Sequence, residues 1–146
     1  MTVKPLSPRE LRIWYAFLSM GEDVLVRVGR DINRATGLSG PEFGVLSRLA
    51  AFGHGEMRQQ QLATVMGWEK SRLSHQLSRM QKRKLLERRT GEERATLIAL
   101  TRTGREKLES ALPVRAESVR RNLLSRLSTE QIETIIRLSN LLDDEG

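Results

Sequence analysis

The chain has 146 residues, 38% hydrophobic and 29% charged, which is enough for one domain, or two small lobes, that bury a core without staples. It has no cysteine, which excludes disulfides, thiolate metal sites and a cysteine nucleophile, and no stretch approaches the roughly 18 apolar residues that span a bilayer. The net charge of +7 is concentrated: His54–Lys107 carries 13 basic and 6 acidic residues, a local +7, against +2 before it and −2 after it.

A positive excess gathered in the middle third suits a polyanionic partner better than a charge spread for solubility. The N-terminal MTVKPLSPREL has no apolar h-region, so no secretory signal is expected and a soluble, cytoplasmic protein with no membrane association is. Four Ser/Thr-x-x-Glu/Gln pairs predict capping boxes, in which each side chain satisfies a free N–H at a helix start: Ser7–Glu10, Ser39–Glu42, Thr103–Glu106 and Ser128–Gln131.

The first helix is expected over about Pro8–Ala35, with Leu11, Trp14, Tyr15, Leu18, Leu25, Val28 and Ile32 on one face, stopped at Gly37. A second runs over about Pro41–Ala51, then a Gly53-His54-Gly55 loop, a short helix over about Arg58–Met66 and another over about Lys70–Lys84. Leu86–Arg89 and Thr96–Leu100 read as a two-stranded ribbon joined by a polar turn at Gly91. A long helix over about Gly104–Leu127 should be kinked or split by Pro113, which lacks an N–H and clashes with the preceding turn. Thr129–Leu142 closes the chain with Ile132, Ile135, Ile136, Leu138 and Leu142 in a stripe.

The segment from Gln61 to Leu77 is the most informative. Ala63 is small where two helices must cross, Gly67 permits a tight turn four residues later, and Leu73 packs the second helix onto the first, a helix-turn-helix pattern. The remaining positions of that second helix are polar: Lys70, Ser71, Arg72, Ser74, His75, Gln76 and Arg79. Such short or forked groups reach base edges and phosphates when the N-terminal part of a helix enters the major groove. Arginine bonds guanine with two donors, and glutamine matches adenine. An ordinary solvated basic face accounts for any one of these residues alone, but not easily for the set together with Lys82-Arg83-Lys84, Arg88, Arg89 and Arg94. His75 fits a base contact, a phosphate contact or a solvated surface. His54 reads as a loop residue, and two histidines so far apart offer no metal-ligand spacing.

Helix-turn-helix, ribbon with a basic turn, and long flanking helices resemble the MarR family of winged-helix regulators over nearly the whole chain. The most specific stretch is Leu85–Arg105, where Glu92-Glu93-Arg94 stands for the family's wing Asp-x-Arg and Leu100-Thr101-Arg102-Thr103-Gly104 for its Leu-Thr-x-x-Gly. Glu92 replaces the usual aspartate, and its longer side chain changes the geometry of a wing pairing with Arg94. The resemblance implies a mainly α fold with a small β-wing. A winged helix-turn-helix lobe at about 38–103 would read DNA, and helices at about 1–37 and 104–146 would form a dimerisation lobe. The terminal helices agree, being apolar over faces broad for one monomer to cover, although the Ile132–Leu142 stripe fits an intramolecular core too.

These readings lead to a homodimeric transcriptional regulator, expected to be a repressor, on a palindromic double-stranded operator. Ser71, Arg72, Ser74, His75 and Arg79 are expected in the major groove, with Lys70 and Gln76 beside them. Arg94 is expected in the minor groove, and Gln59, Gln60 and Arg89 on phosphates. The resemblance also suggests a small aromatic effector, with Trp14, Phe17 and Phe43 as candidate pocket residues or, alternatively, as core. No cofactor or metal is implied. No nucleophilic triad, phosphate loop or carboxylate pair points to an enzyme. The rival reading is a non-specific DNA-packing protein, against which the mixed polar face of the second helix argues.

Overall fold

The computed structural model describes residues 2–143, built in the order α1 (Pro8–Thr36), α2 (Gly40–Gly53), β1 (Glu56–Arg58), α3 (Gln59–Met66), α4 (Lys70–Lys82), β2 (Leu86–Thr90), β3 (Thr96–Leu100), α5 (Arg102–Asn122) and α6 (Thr129–Leu142). The chain divides into two units, Met1–Gly29 with Ala116–Gly146, and Arg30–Arg115; the divisions fall within α1 and within α5. Among the described residues no helix is long and apolar enough to cross a membrane.

Three of the expected capping boxes form. Ser7 N donates to Glu10 at 2.7 Å and Glu10 N to the Ser7 hydroxyl at 3.2 Å, and the first of these, then the hydroxyl, holds the Glu10 carboxyl below its ordinary pKa. The same reciprocal bonds start α2 at Ser39–Glu42 and α6 at Ser128–Gln131. The fourth does not form. α5 begins at Arg102, so Thr103 already lies in its first turn, and Thr101 does the capping instead. The Thr101 hydroxyl accepts from Gly104 N at 3.0 Å and donates to the Lys84 carbonyl at 2.6 Å. Glu106 pairs with Arg102 at 3.1 Å, one turn away.

The Arg30–Arg115 unit has a closed core. Ile32, Leu38, Val45, Leu46, Leu49, Leu62, Leu73, Leu77, Met80, Leu85, Leu86 and Ile98 are each essentially without solvent exposure. The apolar residues of α4 recur at Leu73, Leu77 and Met80, the three- and four-residue spacing that keeps one face of a helix inward. The expected two-stranded ribbon is a three-stranded antiparallel sheet of order β1-β3-β2. β1, only three residues long, pairs Glu56, Met57 and Arg58 with Ala99, Ile98 and Leu97. Too short to carry an alternating pattern of its own, it exists because β3 offers a free edge. β2 and β3 pair from Leu86–Leu100 to Thr90–Thr96.

Two glycines are required where the chain turns. Gly67 ends α3 at φ 67°, in the left-handed region an L-residue resists, and so sets the angle into α4. Gly104 lets α5 pass the α4–β2 corner, since a Cβ there would lie 1.9 Å from the Leu85 carbonyl oxygen.

Two expectations about helix ends are corrected. α4 stops at Lys82 rather than Lys84, because Lys84 turns left-handed at φ 62° and Leu85 N bonds back to the Met80 carbonyl at 3.0 Å. α5 is not split at Pro113; it runs through it and ends at Asn122, ahead of a 3₁₀ turn at Leu124–Arg126. Pro113 is exposed, so its ring stands clear of the core, and the helix forgoes one backbone bond without losing its buried residues Leu108 and Ala111.

The other unit has a different character. Along its part of α1, Leu11, Ile13, Trp14, Tyr15, Phe17, Met20, Leu25 and Val26 are exposed, and along α6 so are Ile135, Ile136, Leu138, Leu141 and Leu142.

Candidate nucleic-acid interface

The Arg30–Arg115 unit presents a basic surface built on α3, α4 and the β2–β3 hairpin. Burying Leu73, Leu77 and Met80 leaves the opposite face of α4 in solvent, with Lys70, Ser71, Arg72, His75 and Arg79 exposed along it. The Arg72 guanidinium carbon lies over the Trp68 ring, 4.0 Å from its centroid. Ser74 is half-buried, and its carbonyl accepts from Arg88 Nη2 at 3.0 Å. Gln76 does not face outward as the sequence reading expects. It is 7% exposed, on the same side as Leu73 and Leu77, and its Oε1 accepts from Arg79 at 2.6 Å. Gln76 therefore braces Arg79 and is removed from the base-reading set.

A cleft of about 330 Å³ brings Gln59, Gln60 and Lys70 together with Arg58, Thr96 and the side of Leu73. The N-terminal turns of α3 and α4 and the tip end of the hairpin meet there. Arg58 is the N-cap of α3 but gives no side-chain cap bond. The uncapped N–H groups and the nearby cations favour an anion.

At the hairpin tip, Glu92–Arg94 forms a 3₁₀ turn in which Glu93 and Arg94 take φ of 55° and 60°. Gly91 N bonds the Ala95 carbonyl at 2.7 Å, and Ala95 N the Glu92 carbonyl at 3.0 Å, so the backbone alone shapes the tip. Among the described residues Arg94 has no ion pair with Glu92 and is exposed. Arg89, expected on a phosphate, is already engaged: it pairs with Glu87 and, at 3.2 Å, with Glu56 on β1. The hydrogen bond and charge of Glu87, then Glu56, raise its pKa above the ordinary arginine value.

Two arginines that the sequence reading treats as part of a basic run are structural. Arg88 reaches from β2 to the Ser78 hydroxyl at 3.0 Å, the Gln81 side chain at 3.2 Å and the Ser74 carbonyl, fastening the hairpin to α4. Arg83 pairs with Glu42, whose side chain is 6% exposed and also accepts from Ser39 N at 2.9 Å. One carboxylate thus caps α2 and anchors the end of α4. Neither contact has a sequence signature, since 41 residues separate Arg83 from Glu42. The Trp68–Arg72 contact has one, the four-residue spacing.

The candidate pocket residues do not share a unit. Phe43 belongs to the core of Arg30–Arg115, 8% exposed with the Arg115 guanidinium 5.2 Å from its ring centroid. Trp14 and Phe17 are about half exposed on α1 and stack with centroids 6.2 Å apart.

A short helix, a glycine-hinged turn, a second helix with a buried apolar and an exposed basic face, and a hairpin tied beside it define a winged helix-turn-helix protein. The MarR family model matches residues 36–95, which run from the end of α1 to the hairpin tip. Among solved structures, the chain is similar to AbsC, a MarR family transcriptional regulator from Streptomyces coelicolor, at 28% identity and a TM-score of 0.84, covering 93% of each chain. It is similar to Sco3205, a MarR family transcriptional regulator from Streptomyces coelicolor in complex with DNA, at 24% identity and a TM-score of 0.86, covering 97% of this chain and 89% of that one. It shares its fold with the organohalide-sensing regulator RdhR-CbdbA1625 in its 2,4-dichlorophenol-bound form, at 19% identity and a TM-score of 0.78, covering 99% and 90%. No curated protein matches the chain. Over residues 36–95 the chain thus carries the MarR family's sequence pattern, and its fold is that of MarR family transcriptional regulators.

Proposed function

We propose that the protein is a homodimeric, sequence-specific repressor that occupies a two-fold symmetric promoter site. The observation that carries this reading is the outer face of α4, where Ser71, Arg72, His75 and Arg79 stand exposed opposite a fully buried apolar face. A helix so divided can seat its polar side in a major groove while its own unit stays folded. Arg94, at the exposed tip of the hairpin, takes the minor groove, and the Gln59–Gln60–Lys70 cleft takes backbone phosphates. Arg89 joins the phosphate set only by leaving Glu87 and Glu56, so its contribution is smaller than its charge implies.

The helices at 1–37 and 104–146 form the dimerisation lobe in this reading, and the residues at 38–103 the DNA-binding lobe. The exposed apolar residues of α1 and α6 support a partner copy, because monomeric proteins seldom leave so many large apolar side chains in water. Two copies related by a two-fold axis would present α4 to half-sites about 34–36 Å apart. The likeness to a DNA-bound regulator and to one that binds 2,4-dichlorophenol supports a DNA target and a small aromatic effector. Trp14 and Phe17 are the effector residues that remain after Phe43 is assigned to the core.

Selection of bound fragments from the protein's own genome at near-physiological salt tests the reading. A shared, two-fold symmetric sequence is the expected result, with affinity falling steeply as salt rises. Fragments with no common sequence would instead make the chain a packing protein held by charge alone.

A further inference from the structure

The arginines around α4 are held in different ways. Arg79 bonds Gln76, Arg88 is fastened to Ser74, Ser78 and Gln81, and Arg89 is paired with Glu87 and Glu56. Arg72 is held only by a cation–π contact, its guanidinium carbon 4.0 Å from the centre of the Trp68 ring, and among the described residues no hydrogen bond or ion pair engages its donors. The difference is chemical. A guanidinium carries its five N–H groups at the edge of a plane, so stacking fixes the plane and leaves the donor edge unspent. The platform is itself fixed. Trp68 is half-buried, its backbone N–H bonds the Ala63 carbonyl at 3.1 Å, and it follows the left-handed Gly67 directly.

We propose that Trp68 is a positioning residue for base recognition: it holds the Arg72 guanidinium in one plane, so that its free edge bonds the N7 and O6 acceptors of a guanine at one operator position. The inference rests on α4 being the helix that reads DNA. An unstacked arginine on the first turn of α4 could swing to a phosphate or a neighbouring base, gaining affinity without choosing a sequence. A stacked one has surrendered that freedom before DNA arrives, and two donors in a fixed plane match guanine alone among the four bases in the major groove. Lysine would not be oriented in this way, since an ammonium is a point charge with no planar fork for the ring to hold.

The test uses the full chain and a pool of random duplexes of about 30 base pairs, long enough for two half-sites. Binding is then measured to the selected duplex and to its single-pair variants. Arg72→Ala identifies the pair that Arg72 reads, expected to be G·C. Trp68→Leu should lower the preference for that pair about three- to tenfold and leave the other positions unchanged, as expected for losing one cation–π contact. Trp68→Phe, which keeps a ring, should retain most of the preference. In the Arg72→Ala background, Trp68→Leu should change no preference at all. If Arg72→Ala relaxes a pair while Trp68→Leu spares it, or lowers affinity equally for every sequence, the positioning role is overturned while the reading of α4 survives. If Arg72→Ala relaxes no pair, the role of Arg72 in α4 fails and the proposal fails with it. A second measurement needs no variant to fold: the Arg72 side-chain protons of the free protein should be displaced by the indole ring current in its NMR spectrum. Undisplaced protons would overturn the proposal.

Discussion

The two units of this chain use similar apolar residues in opposite ways. Every apolar side chain that is fully buried among the described residues lies between Ile32 and Ala111, inside or at the edge of the winged helix. The helices outside it are also rich in Leu, Ile and aromatic residues, and expose most of them: Leu25 at 73%, Tyr15 at 62% and Ile136 at 49%. The winged helix thus buries most of its own hydrophobic pattern, with Phe52 left exposed. The terminal helices meet theirs only when something else covers them. A stripe at helical spacing states that a face seeks apolar contact, and says nothing of whose surface supplies it.

The comparison can be broken at several points. The largest effect belongs to Gly104→Val, which sets side-chain atoms against the Leu85 backbone. It should destabilise the winged helix by about 4 kcal/mol or more, read from urea denaturation. A variant as stable as the parent would mean that α5 can move away from the α4–β2 corner.

Next comes polar substitution on the other unit, Ile135→Ser with Ile136→Ser. If α6 buries this face against a second copy, each lost side chain counts in both protomers and dimerisation weakens by about 3 kcal/mol or more, while the denaturation of the winged helix barely shifts. Sedimentation equilibrium checks it. A parent protein that is monomeric at every concentration would remove the proposed dimer altogether.

Arg83→Met should cost the winged helix about 2 kcal/mol by stranding the Glu42 carboxylate. That is less than the 3–5 kcal/mol typical of a fully buried pair, because Arg83 is itself 47% exposed. Adding Glu42→Gln should restore part of the loss, and a double variant no better than the single one would show that Glu42 is not the cause. The smallest effect has the opposite sign. Lys84 occupies a left-handed position where glycine is usual, so Lys84→Gly should raise thermal stability by about 0.5–1 kcal/mol. An unchanged melting temperature would show that the left-handed backbone at Lys84 carries little strain.

Much of this could be read locally. Ser128–Gln131 marks the start of α6 because a capping box closes within four residues, and Ser39–Glu42 marks α2 in the same way. The Ala63–Gly67–Leu73 spacing locates the helix-turn-helix because the left-handed turn and the crossing are made by those residues themselves. Thr103–Glu106 satisfied the same capping pattern and failed. A better-placed hydroxyl two residues earlier also had the Lys84 carbonyl to bond, a partner 17 residues away. β1 escaped notice for a similar reason, since its three residues become a strand only against β3. Gln76 and Ser74 look alike on paper, yet one is buried against the core and the other is held by Arg88.

The sequence by itself determined which helices form, where the glycine turns fall, and that a basic, polar-faced second helix follows a short first one. Those features depend on capping, φ preference and periodicity within a few residues. Only the tertiary structure decided which cations stay free. It spends Arg83 on Glu42, Arg88 on the back of α4 and Arg89 on two carboxylates, and leaves Arg72 stacked with its donors open. The pairs of Arg83 with Glu42 and of Arg89 with Glu56 join residues far apart in the chain, and no local pattern records which partner a long, flexible side chain will reach.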